Sequence, residues 1–267
     1  MKKVLAIYRA KEFSPNSVAK DEAIMAAVIE RLRNRGCVVV AVSEEVCPLV
    51  GIQPAFLDVV LSMGRREETL RWLASLGVTI INSPHGVARC RRSVLERLMR
   101  ENGVPMPPPT GSDGYWLKRG DGSARTKNDV IFAADEQQLK CKANDFRRRG
   151  IDYTVSAHVV GDVVKFYGVR GSGFFRHYYP TDDGDTKFGD ELHNGPARHY
   201  PFSVADLQQT MERLAGIVGV DVYGGDCIVR QDGTFCIIDF NDWPSFSRCR
   251  DEAAEAVVAL ATRDSEE

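Results

Sequence analysis

The sequence predicts an α/β protein with two further α+β lobes, and three observations carry that prediction. Short apolar runs alternate with helical segments over roughly residues 1–85, the pattern that builds a small parallel sheet. The stretch Val104-Pro-Met-Pro-Pro-Pro109 then interrupts the chain, because consecutive prolines cannot continue a helix and make a stiff extended spacer. Beyond it, Gly161-Asp162 and Asp232-Gly233 stand between apolar runs, where such dipeptides signal hairpins.

Taken in order, residues 4–8 read as a buried strand. Ser17 caps a helix to about Arg35, whose inner face is Ala23, Ala26, Ala27, Ile29 and Leu32, and Gly36 stops it. Strands follow at 37–42, 56–63 and 78–82, with a helix over 65–76. No G-x-G-x-x-G follows the first strand, which argues against a dinucleotide site. A basic helix covers 88–102. Strands at 115–118 and 130–133 precede a helix capped by Asp135 and ending near Gly150. Residues 153–160 and 163–169 pair as a hairpin in this reading. Residues 170–201 are rich in Gly, Asp, His and aromatics without periodicity, a length of loop that is more often functional than idle. Ser203 caps a helix to Val218, a last helix spans 251–262, and 263–267 is a frayed tail. The chain accordingly divides into an N-terminal α/β domain (1–87), a basic helix and Pro-rich connection (88–109), a central lobe (110–160) and a C-terminal lobe (161–267).

Composition narrows the function classes. With 35 basic and 37 acidic residues among 267, no global field points to nucleic acid or an anionic membrane. The seven cysteines form no C-x-x-C pair, which suits reduced thiols and a cytoplasmic location better than a disulfide framework. The apolar run after Met1 is too short for a signal peptide, and no run approaches a membrane span.

The chemistry concentrates on Tyr223–Phe246. If Asp232-Gly233 makes the turn, Val229 pairs with Cys236, Ile228 with Ile237 and Asp226 with Asp239, and Asn241 shares their face because the strand period is two. Like charges directly opposite destabilise a sheet. Either a hard divalent cation resolves the conflict, or both carboxylates stand in solvent at strand ends. Lys118-Arg119-Gly120-Asp121-Gly122-Ser123 puts a cation before a flexible loop whose amides can cradle phosphate; an ordinary glycine-rich turn has the same composition. Arg89, Arg91 and Arg92 open a helix against its dipole, which suits an anionic ligand or a solvated face.

Together these pieces resemble the ATP-grasp superfamily from about Ala88 to Phe246. A basic helix followed by Gly103-Val-Pro-Met-Pro107 looks like the start of the nucleotide lobe, and Arg92 stands eleven residues before Gly103, where many members carry a phosphate-binding lysine. Leu117-Lys118 and its loop look like the second phosphate lysine and the cover over the triphosphate. Asp226, Asp239 and Asn241, separated by thirteen and two residues, match the metal-binding set, and Asn241-Asp-Trp-Pro244 the N-x-x-P that follows. Where members usually read Gln/Glu-Glu on the strand joining the lobes, this chain has Thr154-Val-Ser-Ala-His158. His158 there is either a substitute ligand or a structural histidine.

The resemblance implies an ATP-grasp-like fold, with ATP held by Arg92, Lys118, Gly120, Gly122, Ser123, Ser156 and His158. It implies Mg2+, as a pair of ions that Mn2+ could replace, on Asp226, Asp239 and Asn241. Lys165 matches a substrate-binding lysine of the inositol phosphate kinase branch. Arg170 and Arg176 fall where ligases neutralise the reacting phosphate, and Asn194-Gly195 near the acceptor. The implied activity is a ligase joining a small-molecule carboxylate to an amine through an acyl phosphate. A kinase acting on a small hydroxyl compound is the alternative, and a nucleotide-binding module without turnover the third. The implied partners are ATP and small acid and amine substrates, with no nucleic acid or membrane, and with room for a homodimer.

Overall fold

A computed structural model describes residues 1–47, 56–121, 126–183 and 193–263. The first lobe is a four-stranded parallel sheet of order β2-β1-β3-β4, made by β1 (Lys3–Tyr8), β2 (Val38–Ser43), β3 (Val59–Ser62) and β4 (Thr79–Ile81). Its central strand β1 is apolar without alternation because both faces are covered. Val4 and Ala6 pack toward α1 (Val18–Asn34), while Leu5 and Ile7 pack with Leu73 of α2 (Glu67–Ala74). Ser17 precedes α1 but makes no side-chain capping bond.

The expected basic helix is two helices, α3 (Pro84–Arg89) and α4 (Arg92–Glu101). Ser83 caps the first through the Gly86 amide at 3.0 Å. The break at Cys90-Arg91 places Arg92 at the start of α4 and Arg89 at the end of α3, where its guanidinium reaches the Ile217 carbonyl at 3.1 Å.

The central lobe is a three-stranded antiparallel sheet, β6-β5-β7, made by β5 (Tyr115–Arg119), β6 (Val130–Ala133) and β7 (Tyr153–Ala157). Its core joins Leu117 to Ala143 and Phe146 of α5 (Glu136–Arg148). The C-terminal lobe is a four-stranded antiparallel sheet of order β11-β10-β8-β9, made by β8 (Asp162–Val169), β9 (Phe174–Tyr178), β10 (Val222–Val229) and β11 (Phe235–Asp242). A short helix α6 (Pro180–Asp183) follows β9. The next helix, α7 (Val204–Val218), buries Leu207, Met211 and Leu214 against Val164, Phe166 and Val229. The last helix, α8 (Arg250–Thr262), returns to the first lobe, its Ala253, Ala254, Val257 and Val258 sharing one core with Ile24, Met25 and Val28.

Two sequence expectations are corrected here. Residues 153–160 and 163–169 are not a hairpin: β7 pairs with β5, and β8 pairs with β10 and β9. Gly161 serves close packing instead of a turn, since a Cβ there would lie 2.3 Å from the Val229 carbonyl oxygen. The neighbouring Asp162 carboxylate accepts the amides of Arg198 and Tyr200 at 2.7 and 2.8 Å. The 170–201 stretch is also not structureless, because its aromatic run Phe174-Phe-Arg-His-Tyr178 forms β9.

The β10–β11 hairpin confirms the pairing of Asp226 with Asp239 but not the register between them. Arg230 donates to the Thr234 carbonyl at 2.8 Å, and Gly233 adopts φ 80°, so the loop is the three-residue type with a left-handed last residue. Val229 therefore faces Phe235 and Cys227 faces Ile237. A bulge leaves Ile238 unopposed and restores the alignment at Asp226.

None of the seven cysteines forms a disulfide. No helix among the described residues is long and apolar enough to cross a membrane.

Candidate functional site

A cavity of about 310 Å³ lies where the three lobes meet. β10 supplies Asp226, β11 supplies Asp239 and Asn241, and β8 supplies Lys165. Cross-strand pairing puts Asp239, Asp226 and Lys165 in one row. Lys165 Nζ donates to Asp226 Oδ1 at 2.8 Å. Arg92, presented by the first turn of α4, lies 3.2 Å from Asp239 Oδ1. Asn241 Nδ2 donates to Asp239 Oδ2 at 2.5 Å.

Lys118 comes from the facing sheet. Its Nζ donates to the Ile238 carbonyl at 3.0 Å, the residue that the bulge leaves unopposed. Burial pushes the Lys118 amine down to about 8, with Arg92 adding to the depression and Asp239 opposing it. Burial works to raise the Asp239 carboxyl, but Arg92 and Lys118 outweigh it and hold the group below its ordinary value. Two oxygen-only carboxylates on facing strands, beside a carboxamide, are the donors a hard cation such as Mg2+ takes. The guanidinium of Arg92 keeps a buried Nε–H without a protein partner, which suits an anionic ligand.

Ser156 and His158 also line the cavity. Trp116 donates from Nε1 to His158 Nδ1 at 3.1 Å, and Phe132 and His193 complete an aromatic cluster there. Burial and then His193 lower the His158 pKa, so the ring is neutral near pH 7. Asn194 lines the same wall and accepts the Gly161 amide at 3.1 Å.

Other expected site residues are not brought to this cavity. Arg170 pairs with Asp221 at 2.5 Å, and Arg176 pairs with Glu252 of α8; neither lines it. Arg170 lies just past the end of β8 and is held by Asp221, while Arg176 shares a sheet face with Lys165 but sits on the edge strand β9, where Glu252 holds it. Gly120 is held between the Asp152 carbonyl and the Ser93 amide, and a Cβ there would lie 2.2 Å from Ser93 Oγ. It serves close packing of β5 on α4. Gly122 and Ser123 lie outside the described residues. Arg91 pairs with Glu67 at 3.0 Å.

Sequence reasoning missed a second charged cluster on the cavity wall. Arg65 and Arg9 both reach Asp242, at 2.7 and 3.5 Å, and Arg9 also pairs with Asp21 at 3.0 Å. Burial works to raise the Asp242 carboxyl, but Arg65 and Arg9 outweigh it and hold it low. The signal was available: Arg9 follows β1 and Arg65 follows β3, two neighbouring parallel strands, and ligands of open α/β sheets gather at the carboxyl ends of strands. Arg9 also donates to the carbonyls of Asp242 and Trp243. Trp243, wholly buried, takes an unusual φ of 40°.

No protein-family model matches the sequence, and no curated protein does either. Solved structures do. A D-alanine-D-alanine ligase from Coxiella burnetii superposes with a TM-score of 0.67 at 9% identity, covering 98% of this chain and 95% of that one. D-alanyl-alanine synthetase A from Vibrio cholerae gives 0.68 at 12% identity, covering 98% and 97%. The macrocyclase MdnC from Microcystis aeruginosa, solved bound with its precursor peptide MdnA, gives 0.67 at 12% identity, covering 98% and 100%. An ATP-grasp RimK domain protein from Sphaerobacter thermophilus gives 0.62 at 16% identity, covering 97% and 99%, so the chain has the ATP-grasp fold, a parallel α/β layer followed by two antiparallel lobes. The first of these neighbours is named as a ligase, the second as a synthetase and the third as a macrocyclase.

Proposed function

We propose that this chain is an ATP- and Mg2+-dependent ligase that joins a small-molecule carboxylate to an amine through an acyl phosphate. The observation that carries the reading is the row Asp239–Asp226–Lys165 lying across from Arg92 and Lys118. Arg92 and Lys118 would hold the triphosphate, with Ser156 and His158 toward the base and ribose. Asp226, Asp239 and Asn241 would hold the metal, which neutralises charge on the phosphates.

A carboxylate oxygen of the acid substrate attacks the γ-phosphorus, the bond to the β-phosphate oxygen breaks, and ADP leaves. The amine then attacks the acyl carbon, inorganic phosphate departs with the C–O electron pair, and the proton lost from nitrogen goes to the departing phosphate or to water. Positioning and charge neutralisation do most of this work, so no protein nucleophile is needed. Cavity residues Ser14 and Ser17 stand with Arg9 and Arg65 on the first-lobe side, and we assign the acceptor to that end. The unpaired cysteines support a cytoplasmic setting.

Hydroxylamine tests the reaction. With ATP and the acid substrate it should intercept the mixed anhydride and yield a hydroxamate with ADP, and the amine should suppress the hydroxamate while releasing phosphate equal to ADP. A kinase is the second reading, favoured by Lys165 inside the cavity and by the absence of Arg170 and Arg176 from it. It would form ADP without free phosphate and keep the γ-phosphoryl group on a stable product. The ligase neighbours tip the balance to the first reading.

A further inference from the structure

Each of the two candidate metal carboxylates is already engaged by a cation of this chain. Asp226 Oδ1 is held by Lys165 at 2.8 Å, Asp239 Oδ1 by Arg92 at 3.2 Å, and Asp239 Oδ2 by Asn241 at 2.5 Å. Lys118 adds a third cation beside the two carboxylates, with Glu96 a further acid in its field. A metal ion arriving alone meets oxygens already occupied by cations, whereas a polyphosphate meets three cationic side chains.

We propose that Lys165 is a latch on Asp226 that keeps the site closed to metal until a nucleotide is present. The inference rests on the reading of the cavity as a nucleotide site. Lys165 and Arg92 differ from Lys118 in what they hold: Lys118 is tied to a main-chain carbonyl, while the other two are tied to the carboxylates the metal needs. Phosphate oxygens give Lys165 and Arg92 an alternative partner, and their departure uncovers Asp226 and Asp239. Lysine suits the role at 165, because its ammonium is a mobile point charge on a flexible stem and its side chain is 28% exposed, leaving room to swing. The buried, unpartnered Nε–H of Arg92 is a second sign that this side of the row awaits an anion. Metal and nucleotide therefore bind as a coupled pair, each raising the affinity for the other by the same factor.

The test titrates Mn2+ into the full-length protein and reads free Mn2+ by electron paramagnetic resonance, with and without saturating ADP. The wild type should take up Mn2+ at least about tenfold more tightly with ADP than without it. Lys165→Met should bind Mn2+ without nucleotide at least about tenfold more tightly than the wild type, shrinking the coupling by the same factor. Lys165→Arg, which keeps a cation beside Asp226, should retain it, and this separates the latch from a general effect of substitution. Equal Mn2+ affinity of wild type and Lys165→Met without ADP, alongside normal Mn-ADP binding, would overturn the latch and leave the nucleotide site standing. Failure of the wild type to bind ADP with or without metal would overturn the reading of the cavity, and the latch with it.

Discussion

Two ion-pair clusters stand side by side on the cavity wall, and they differ in what water can reach. In the cluster of Asp242 with Arg65 and Arg9, the three side chains are 2%, 12% and 6% exposed. In the row of Asp239, Asp226 and Lys165 they are 26%, 18% and 28% exposed. The two are only residues apart, since Asp239 and Asn241 share a face of β11 and Asp242 points to the other. Like residue types at adjacent positions thus divide into a buried tie between the first and last lobes and a row that water reaches. The buried cluster has a fixed partner for each charge; the row is partly wet, and under the proposed function it would trade its partners for phosphate and metal.

The comparison breaks most visibly on stability. Asp242→Asn removes the buried carboxylate that Arg65 and Arg9 share, leaving Arg9 its pair with Asp21, and should cost about 3–5 kcal/mol, because removing one partner of a buried pair leaves charge uncompensated. Asp226→Asn, in a pair that water reaches, should cost roughly 1 kcal/mol or less. Urea unfolding of the two variants compares them directly. Equal losses would mean that the row is as structural as the buried cluster.

Nucleotide affinity should respond the other way round. Lys118→Ala should lower ATP affinity by about tenfold or more, from a charge-assisted contact worth about 1.5–3 kcal/mol, without loss of folded protein. The depressed pKa of Lys118, about 8, adds a pH dependence. The ammonium is the form that binds phosphate, so affinity should be full below pH 8 and fall as pH rises through that value, where an ordinary lysine would remain charged. Calorimetric titration between pH 7 and 9 reads the effect, and Lys118→Ala should flatten it.

What the sequence made legible follows local pattern. β1 was readable because burial on both faces leaves an unbroken apolar run, and the acid pair because Asp-Gly marks a turn. Asp226 opposite Asp239 came out correctly although the strand between was misaligned, since the three-residue loop shifts the register by one and the bulge at Ile238 shifts it back. No local pattern shows that pair of irregularities. Gly161-Asp162 imitated a hairpin because a glycine needed for close approach looks like a glycine needed for a turn. The Arg9–Arg65–Asp242 cluster joins three distant segments, and only the order of the parallel strands brings it together.

If Asp226 and Asp239 hold the metal of a bound nucleotide, as proposed, Asp239→Asn should separate the affinities for metal-bound and metal-free ATP. The variant keeps the size of the side chain while removing the charge that would face the cation. Calorimetry with ATP in excess Mg2+ and with ATP in a chelator gives the two affinities for wild type and variant. The variant should lose at least about tenfold in affinity for Mg-ATP and far less for metal-free ATP, where relief of carboxylate–phosphate repulsion works in its favour. Equal impairment with and without Mg2+ would make Asp239 a structural partner of Arg92 and not a metal ligand.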